Sequence, residues 1–154
     1  MRHAVSVKPR AHPTSPEWAN EREAWLAAGR VAQAAHSLED LAALVTTHKD
    51  FRVRCEAIPR LRARFPSDKR TLAALTEAAR SFDPEVRETA LGALTDVGGK
   101  AAAAVIVARL TDRDPDVRAA AGQALAQLGD PRAPTDLDKW LRLNGAADYE
   151  DCGE

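Results

Sequence analysis

Aromatic residues and strand-like patterns are scarce in this chain. Phe, Trp and Tyr together make up 5% of its 154 residues, and runs of apolar β-branched residues are absent apart from residues 105–107. Alanine, which has the highest helix propensity, is abundant instead. The composition therefore predicts an all-α fold.

An excess of charge of either sign is also missing. Lys and Arg number 22 and Asp and Glu number 23, which gives a net charge of −1. Proteins that neutralise long runs of phosphate are usually strongly basic. The balance argues against nucleic acid as a partner.

No long hydrophobic run is present. A helix that crosses a bilayer needs about 20 consecutive apolar residues, and no stretch approaches this length. The N-terminus has no charged-then-apolar signal pattern. We therefore expect a cytoplasmic protein that does not bind membranes.

Patterns for catalysis and metal binding are absent too. Cys55 and Cys152 are too far apart in sequence for a metal-ligand spacing, and His36 and His48 lack Cys or carboxylate partners at helical spacing. There is no Gly-rich phosphate loop and no cluster of nucleophile, acid and base. We expect no catalytic residue, no cofactor and no metal, and we expect Cys55 to be a buried helical residue.

What the chain does contain is one pattern written more than once. Residues 83–98 match residues 114–129 at an offset of 31, and residues 50–61 match residues 83–94 at an offset of 33. The first match continues into the segment that follows, so the repeating unit is a pair of helices. Such a pair cannot bury its apolar face alone and has to stack on the next pair.

Each of the two clearest copies begins with a strong helix start. The aspartate is a predicted N-cap whose carboxylate accepts from first-turn amides, and the proline that follows suits the first helical position. The next valine begins the inward face. With the arginine that follows, these structural positions are Asp83, Pro84, Val86 and Arg87 in one copy and Asp114, Pro115, Val117 and Arg118 in the next.

One arginine recurs at the same repeat position. It is Arg54, Arg87 and Arg118 in three successive copies. We interpret these residues as a structural ladder that bonds to neighbouring acids or to helix ends.

The pattern divides the chain into three segments. Residues 1–14 form a predicted flexible arm, residues 15–145 form one repeat domain, and residues 146–154 form an acidic tail. The predicted pairs span about 15–48, 50–80, 83–111 and 114–143. Further helix caps are predicted at Ser15, Ser37, Ser67 and Thr135.

The segment at 114–133 carries a family resemblance. Its Asp-Pro-Asp-Val-Arg-Ala-Ala-Ala start and its Ala-Leu-Ala-Gln-Leu-Gly-Asp-Pro-Arg-Ala continuation resemble HEAT repeats, and more specifically the short bacterial type found in phycobilisome lyases. The resemblance implies an α-solenoid of three to four antiparallel helix pairs. It also implies that the second helices line a concave groove.

Three tryptophans are candidate partner-binding residues near the two ends of the repeat domain. Trp18 and Trp25 share one face of the first predicted helix, and Trp140 lies in the last one. They fit two interpretations: large aromatics that close the open ends of a solenoid, or anchors for a partner protein or a second copy of the chain.

A basic run at residues 49–70 is the second candidate. It has eight positive residues against three acids, but helical geometry points the positive side chains in several directions around the helix axis. A solvated structural role and a patch for an acidic partner both remain open. The partner-binding candidates from this run are Arg60, Arg64, Lys69 and Arg70.

The outer positions of the second helices are the third candidate. They are Glu77, Arg80 and Arg109. The helix expected at residues 100–111 is apolar almost all round, so it is either buried or presents an apolar patch.

Taken together, the residues favour a non-enzymatic adaptor or scaffold that binds another protein. Two alternatives follow from proteins built of similar repeats: a nucleic-acid-binding protein, and a lyase or chaperone-like subunit that acts on a chromophore protein.

Overall fold

The computed structural model describes residues 16–145, and the predicted N-terminal arm and acidic tail lie outside the described residues. Within that range every regular element is an α-helix. The eight helices are α1 (Pro16–Ala34), α2 (Leu38–Thr47), α3 (Phe51–Arg64), α4 (Lys69–Ala78), α5 (Pro84–Val97), α6 (Gly99–Val107), α7 (Pro115–Leu128) and α8 (Leu137–Asn144).

The helices form two layers. The first helices pack in succession, α1 on α3, α3 on α5 and α5 on α7. The second helices α2, α4 and α6 do the same, each also packs on the first helix of the following pair, and α8 packs on α7. This arrangement is an α-solenoid, so the predicted fold class is confirmed.

One apolar core runs through the stack. Its fully buried large side chains come from both layers, and the members below 2% exposure include Leu41, Ile58, Leu75, Leu91 and Leu125. Many of the remaining core residues are alanines. Small side chains let neighbouring helices approach closely, and burial of this apolar surface drives the stacking.

Most helix starts follow the caps read from the sequence, with three differences. The carboxylate of Asp114 accepts from the backbone amides of Asp116 and Val117, but Asp83 has the cap backbone without a cap hydrogen bond. Asp83 is only half-buried, so water can serve those first-turn amides.

Two other caps lie one residue beyond the predicted ones. Asp68 rather than Ser67 caps α4, and Asp136 rather than Thr135 caps α8. Aspartate caps as well as serine or threonine does, and in both places it has the extended backbone that a cap needs.

Helix α6 is shorter than the sequence suggested. It ends at Val107, and turns follow to residue 111 because the amides of Arg109 and Leu110 bond to carbonyls three residues earlier. Ala102, Ala103 and Ile106 are buried, whereas the opposite side is exposed. The helix is therefore neither fully buried nor a broad apolar patch.

Candidate partner-binding surfaces

The recurring arginines join neighbouring loops at one edge of the stack. Arg54 Nε donates to the Val45 carbonyl at 2.8 Å, and its Nη1 donates to Ser81 Oγ at 3.0 Å. Arg118 donates to the carbonyls of Asp112 and Asn144, both at 2.8 Å. Each guanidinium thus bonds to the C-terminal end of a second helix, or to the turn after it, in two successive repeats, and this edge is the joint between repeats.

The middle joint contains a buried ion pair. Arg87 Nε and Nη2 donate to the Asp112 carboxylate at 3.1 and 2.8 Å, and the two side chains are 4% and 3% exposed. Burial by itself would raise the pKa of Asp112, but the hydrogen bonds from Arg87 and from the Asp114 amide, together with the charges of Arg87 and Arg109, outweigh it and hold the pKa below its ordinary value. Asp112 therefore stays ionised inside the joint.

The N-terminal tryptophans lie on α1. Trp25 packs against the core, and its ring meets Phe51 of α3 edge-on with centroids 5.9 Å apart. Trp18 is half-buried, and the Arg22 guanidinium lies 5.7 Å from its ring centroid. The ring of Trp25 is therefore committed to helix packing rather than free for a partner.

Trp140 fills a space left by a glycine. A Cβ placed on Gly122 would lie 2.7 Å from Cζ3 of Trp140, so the indole covers the backbone of α7 directly. The repeat offset of 31 puts Gly122 at the position of Leu91, and it puts Trp140 at the position of Arg109 and, one repeat further back, of Ala78. The last pair exchanges a large core residue on α7 for a large one on α8.

Much of the basic run is bonded within the chain. Arg60 bonds to the Glu56 side chain at 2.9 Å, and Arg62 bonds to Asp96 of α5 at 2.7 Å. Arg64 donates to the carbonyls of Ala35 and His36, at 3.3 and 3.4 Å, and so closes the C-terminal end of α1. These contacts give Arg60 and Arg64 internal roles and reduce the charge available to a partner.

The α4 candidates remain exposed. Arg70 bonds to Asp68 at 2.9 Å and reaches Glu39 of α2 at 2.6 Å, and Glu77 pairs with Arg80 at 3.3 Å. Lys69 is exposed at the start of the same helix. Ion pairs this exposed contribute little to stability, so partner carboxylates can replace them readily.

Two of the candidates line one shallow groove. It lies between the C-terminal ends of α4 and α6, and small side chains line it together with Arg80 and Arg109. Arg109 is half-buried and bonds to Asp112 at 3.3 Å. The lining residues are Ala79, Arg80, Ala104, Val105, Ala108 and Arg109.

Sequence reasoning missed an exposed aromatic at the joint edge. Phe82 is 82% exposed, and the Arg113 guanidinium lies 5.1 Å from its ring centroid. The two residues occupy the same repeat position, 31 apart, in successive loops. Extending the repeat alignment into the loops would have paired them.

Two buried or half-buried titratable groups lie among the first helices. Burial raises the pKa of the Cys55 thiol to about 12, so it is unreactive. Burial, together with the charges of Asp116, Asp114 and Glu85, raises the pKa of Glu88 to about 7.

In the described part of the chain no group of three His, Cys, Asp or Glu side chains could hold a metal ion.

The stacked helix pairs and their arginine joints define the class of protein as a helical-repeat solenoid. A model described as HEAT repeats matches residues 72–148, which is half of the chain. The chain belongs to the HEAT-repeat family.

The other comparisons add nothing further. Those with curated proteins and with solved structures give no match. None of the helices within residues 16–145 has both the length and the apolar character needed to cross a membrane.

Proposed function

We propose that this chain is a non-enzymatic adaptor that binds an acidic segment of a partner protein in the groove between α4 and α6. HEAT repeats commonly serve as protein-interaction modules, and solenoids present extended concave surfaces for this purpose. The observation that carries the proposal is the groove itself, which is lined by small residues and two arginines.

The chemistry of the groove favours a segment with carboxylates. Its alanines leave room for a peptide backbone, and the exposed Arg80 contributes a guanidinium whose ionic partner among the described residues is Glu77. Arginine forks match carboxylate geometry, so a partner carboxylate can displace the exposed Glu77.

The test is affinity purification from the native host with the wild-type chain and a groove variant, Arg80→Glu with Ala104→Glu. Both positions are exposed, so helicity by circular dichroism should not change. We expect the affinity of a recovered partner to fall about tenfold or more, because like charges brought together at an interface cost on the order of 1 kcal/mol or more.

A matched control places the same changes elsewhere. Arg30→Glu with Ala34→Glu lies on exposed positions of α1 and should leave the partner's affinity as it is. If the control and the groove variant lose affinity equally, or neither does, the groove is not the binding site.

The absence of enzymatic activity is part of the proposal. The carboxylates of the joint edge are engaged in caps or ion pairs, as with Asp112 and Asp114. The buried Cys55 thiol is not a nucleophile at neutral pH. Nucleic acid is the weaker alternative, since many of the basic side chains at residues 49–70 are paired within the chain.

The likeness to phycobilisome-lyase repeats supplies a separate hypothesis. It would have the chain act on a protein that carries a tetrapyrrole. Incubation with a bilin should then produce a new visible absorbance that stays with the protein on gel filtration, and an unchanged spectrum would exclude this role.

A further inference from the structure

Phe82 is presented on a rigid backbone at the joint edge. Its carbonyl accepts from Arg87 Nη1 at 2.9 Å and from Arg113 Nη2 at 3.2 Å. The first of these donors is itself fixed by the buried pair with Asp112. An exposed aromatic ring that is already held in place loses little entropy on binding, so it is suited to act as an anchor.

The charge beside this ring has no ionic partner among the described residues. Arg113 contacts the ring and the carbonyl of Phe82, whereas Arg80 pairs with Glu77 and Arg109 with Asp112. The occupant of this surface should therefore combine an aromatic ring with carboxylates.

One segment of the chain itself has this chemistry. Residues 146–154 contain four acids, no base and the chain's single tyrosine, Tyr149. They continue from Gly145, which lies at the same edge, because Arg118 bonds both to the Asp112 carbonyl and to the carbonyl of Asn144.

The distance is within reach. Neighbouring helices pack about 10 Å apart, so the loop of Phe82 is about 20 Å from Gly145 across two repeats. Tyr149 is the fourth residue after Gly145, and four extended residues span up to about 14 Å. The facing aromatic side chains of Tyr149 and Phe82 bridge the rest. A short tethered segment also has an effective concentration of about 1 mM, so a weak contact suffices to hold it.

We propose that residues 146–154 bind back on Phe82 and Arg113, with the Tyr149 ring against Phe82 and neighbouring carboxylates at the Arg113 guanidinium. The carboxylate of Asp83 follows Phe82 directly and repels the acidic segment, which places the ionic contact on the Arg113 side. The surface differs from the α4–α6 groove, and no partner protein is needed to test it.

The experiment follows the ring signals of Tyr149 by NMR in the full chain with selectively labelled tyrosine. The samples are the wild type, Phe82→Ala, Arg113→Ala and a synthetic peptide of residues 146–154. We expect the wild-type ring signals to differ from those of the peptide, and both substitutions to move them to the peptide's positions.

A matched control uses the other stacked guanidinium. Arg22→Ala removes the arginine that lies over Trp18 at the far end of the stack, and it should leave the Tyr149 signals unchanged. Raising the salt to about 0.5 M should reproduce part of the Arg113→Ala shift, because exposed charges are then screened within a few ångströms.

Three results would overturn the proposal: wild-type signals equal to those of the peptide, an equal response to Arg22→Ala, or signals that change with protein concentration. The last would assign the contact to a second copy of the chain. None of these results would bear on binding at the groove, since Arg80 and Ala104 are unchanged in every sample.

Discussion

The three joints between repeats use the same donor, an arginine, but a different residue at the equivalent acceptor position. Arg54 meets Ser81 and Arg87 meets Asp112, but the equivalent position for Arg118 is Leu143, whose side chain has no polar atom. Arg118 therefore turns to the backbone carbonyl of the next residue, Asn144. The recurring arginine sets where a joint forms, and the residue in the following loop sets how strongly the joint depends on charge.

The middle joint differs most from the others because both of its charges are out of water. A buried ion pair has to offset the cost of desolvating two charges, so its net contribution can be small. Removing one member leaves the other buried without its partner, which is far more costly. Removal of the equivalent arginine should therefore lower the free energy of unfolding by a different amount in each repeat.

The largest expected effect comes from breaking this middle pair. Asp112→Ala should lower the free energy of unfolding by about 3–5 kcal/mol, since it leaves the Arg87 guanidinium buried and unpaired. Urea denaturation followed by circular dichroism measures the loss.

The equivalent change in the first joint is the comparison. Ser81→Ala removes the hydroxyl that accepts from Arg54 at 3.0 Å, and it should lower the free energy of unfolding by about 1 kcal/mol. Equal losses for the two variants would mean that the buried charge does not distinguish the joints.

The second prediction compares the last helix pair with the one before it. Gly122→Leu restores the residue found at Leu91 but collides with Trp140, and overpacking of this kind costs about 1–3 kcal/mol. Adding Trp140→Ala, the residue that stands at this position two pairs earlier, in Ala78, should recover much of that loss. Thermal or urea unfolding of both single variants and the double variant gives the coupling, and strictly additive losses would show that the two side chains do not share the space.

The sequence predicted the repeat and its donors better than its acceptors. An offset of 31 was enough to place the helix starts and to single out Arg87 and Arg118 as structural. The acceptors were not predicted because they lie about 25 residues further on, in loops where apolar periodicity gives no signal. Asp112 becomes the partner of Arg87 only once the helix pairs are stacked.

The candidate site shows the same division. The helical periodicity of the second helices predicted that Arg80 and Arg109 lie on their outer faces. The structure brings both residues to one groove. The small residues that line the groove were not predicted, since an almost wholly apolar helix does not reveal which side its neighbours cover. The role of Trp140 was left open because its partner, Gly122, has no side chain to suggest a contact.

A third prediction concerns Glu88, a half-buried carboxyl on α5 near the start of α7. The pKa of Glu88 is raised from 4.5 to about 7 on folding, so the folded state binds the proton more tightly and stability falls as the pH rises from 4.5 through 7. Glu88→Gln should therefore match the wild type near pH 4.5 and exceed it by about 1–2 kcal/mol at pH 8, allowing for partial exposure. Urea midpoints across this pH range check the effect.

The control for the pH effect is an exposed carboxyl on a second helix. Glu77→Gln should leave the slope of stability against pH close to that of the wild type, because Glu77 pairs only with the exposed Arg80. If Glu88→Gln keeps the wild-type slope as well, the half-buried carboxyl is not its source.

The smallest expected effect compares one position in successive second helices. Thr71 is fully buried with an unpaired hydroxyl, whereas the equivalent position in α6 holds Ala102. Thr71→Val keeps the shape and removes the unsatisfied group, so it should raise the free energy of unfolding by about 1 kcal/mol. A loss in thermal stability would indicate that the hydroxyl has a partner, such as a buried water.

The most direct test of the graded joints replaces the donor at all three equivalent positions. The variants are Arg54→Ala, Arg87→Ala and Arg118→Ala, and urea unfolding measures the stability of each. Because each variant loses the same side chain, differences in the loss of stability reflect the acceptors. We predict the largest loss for Arg87→Ala, about 3 kcal/mol or more, and about 1–2 kcal/mol for each of the others. Three equal losses, or the smallest loss at Arg87, would contradict the account.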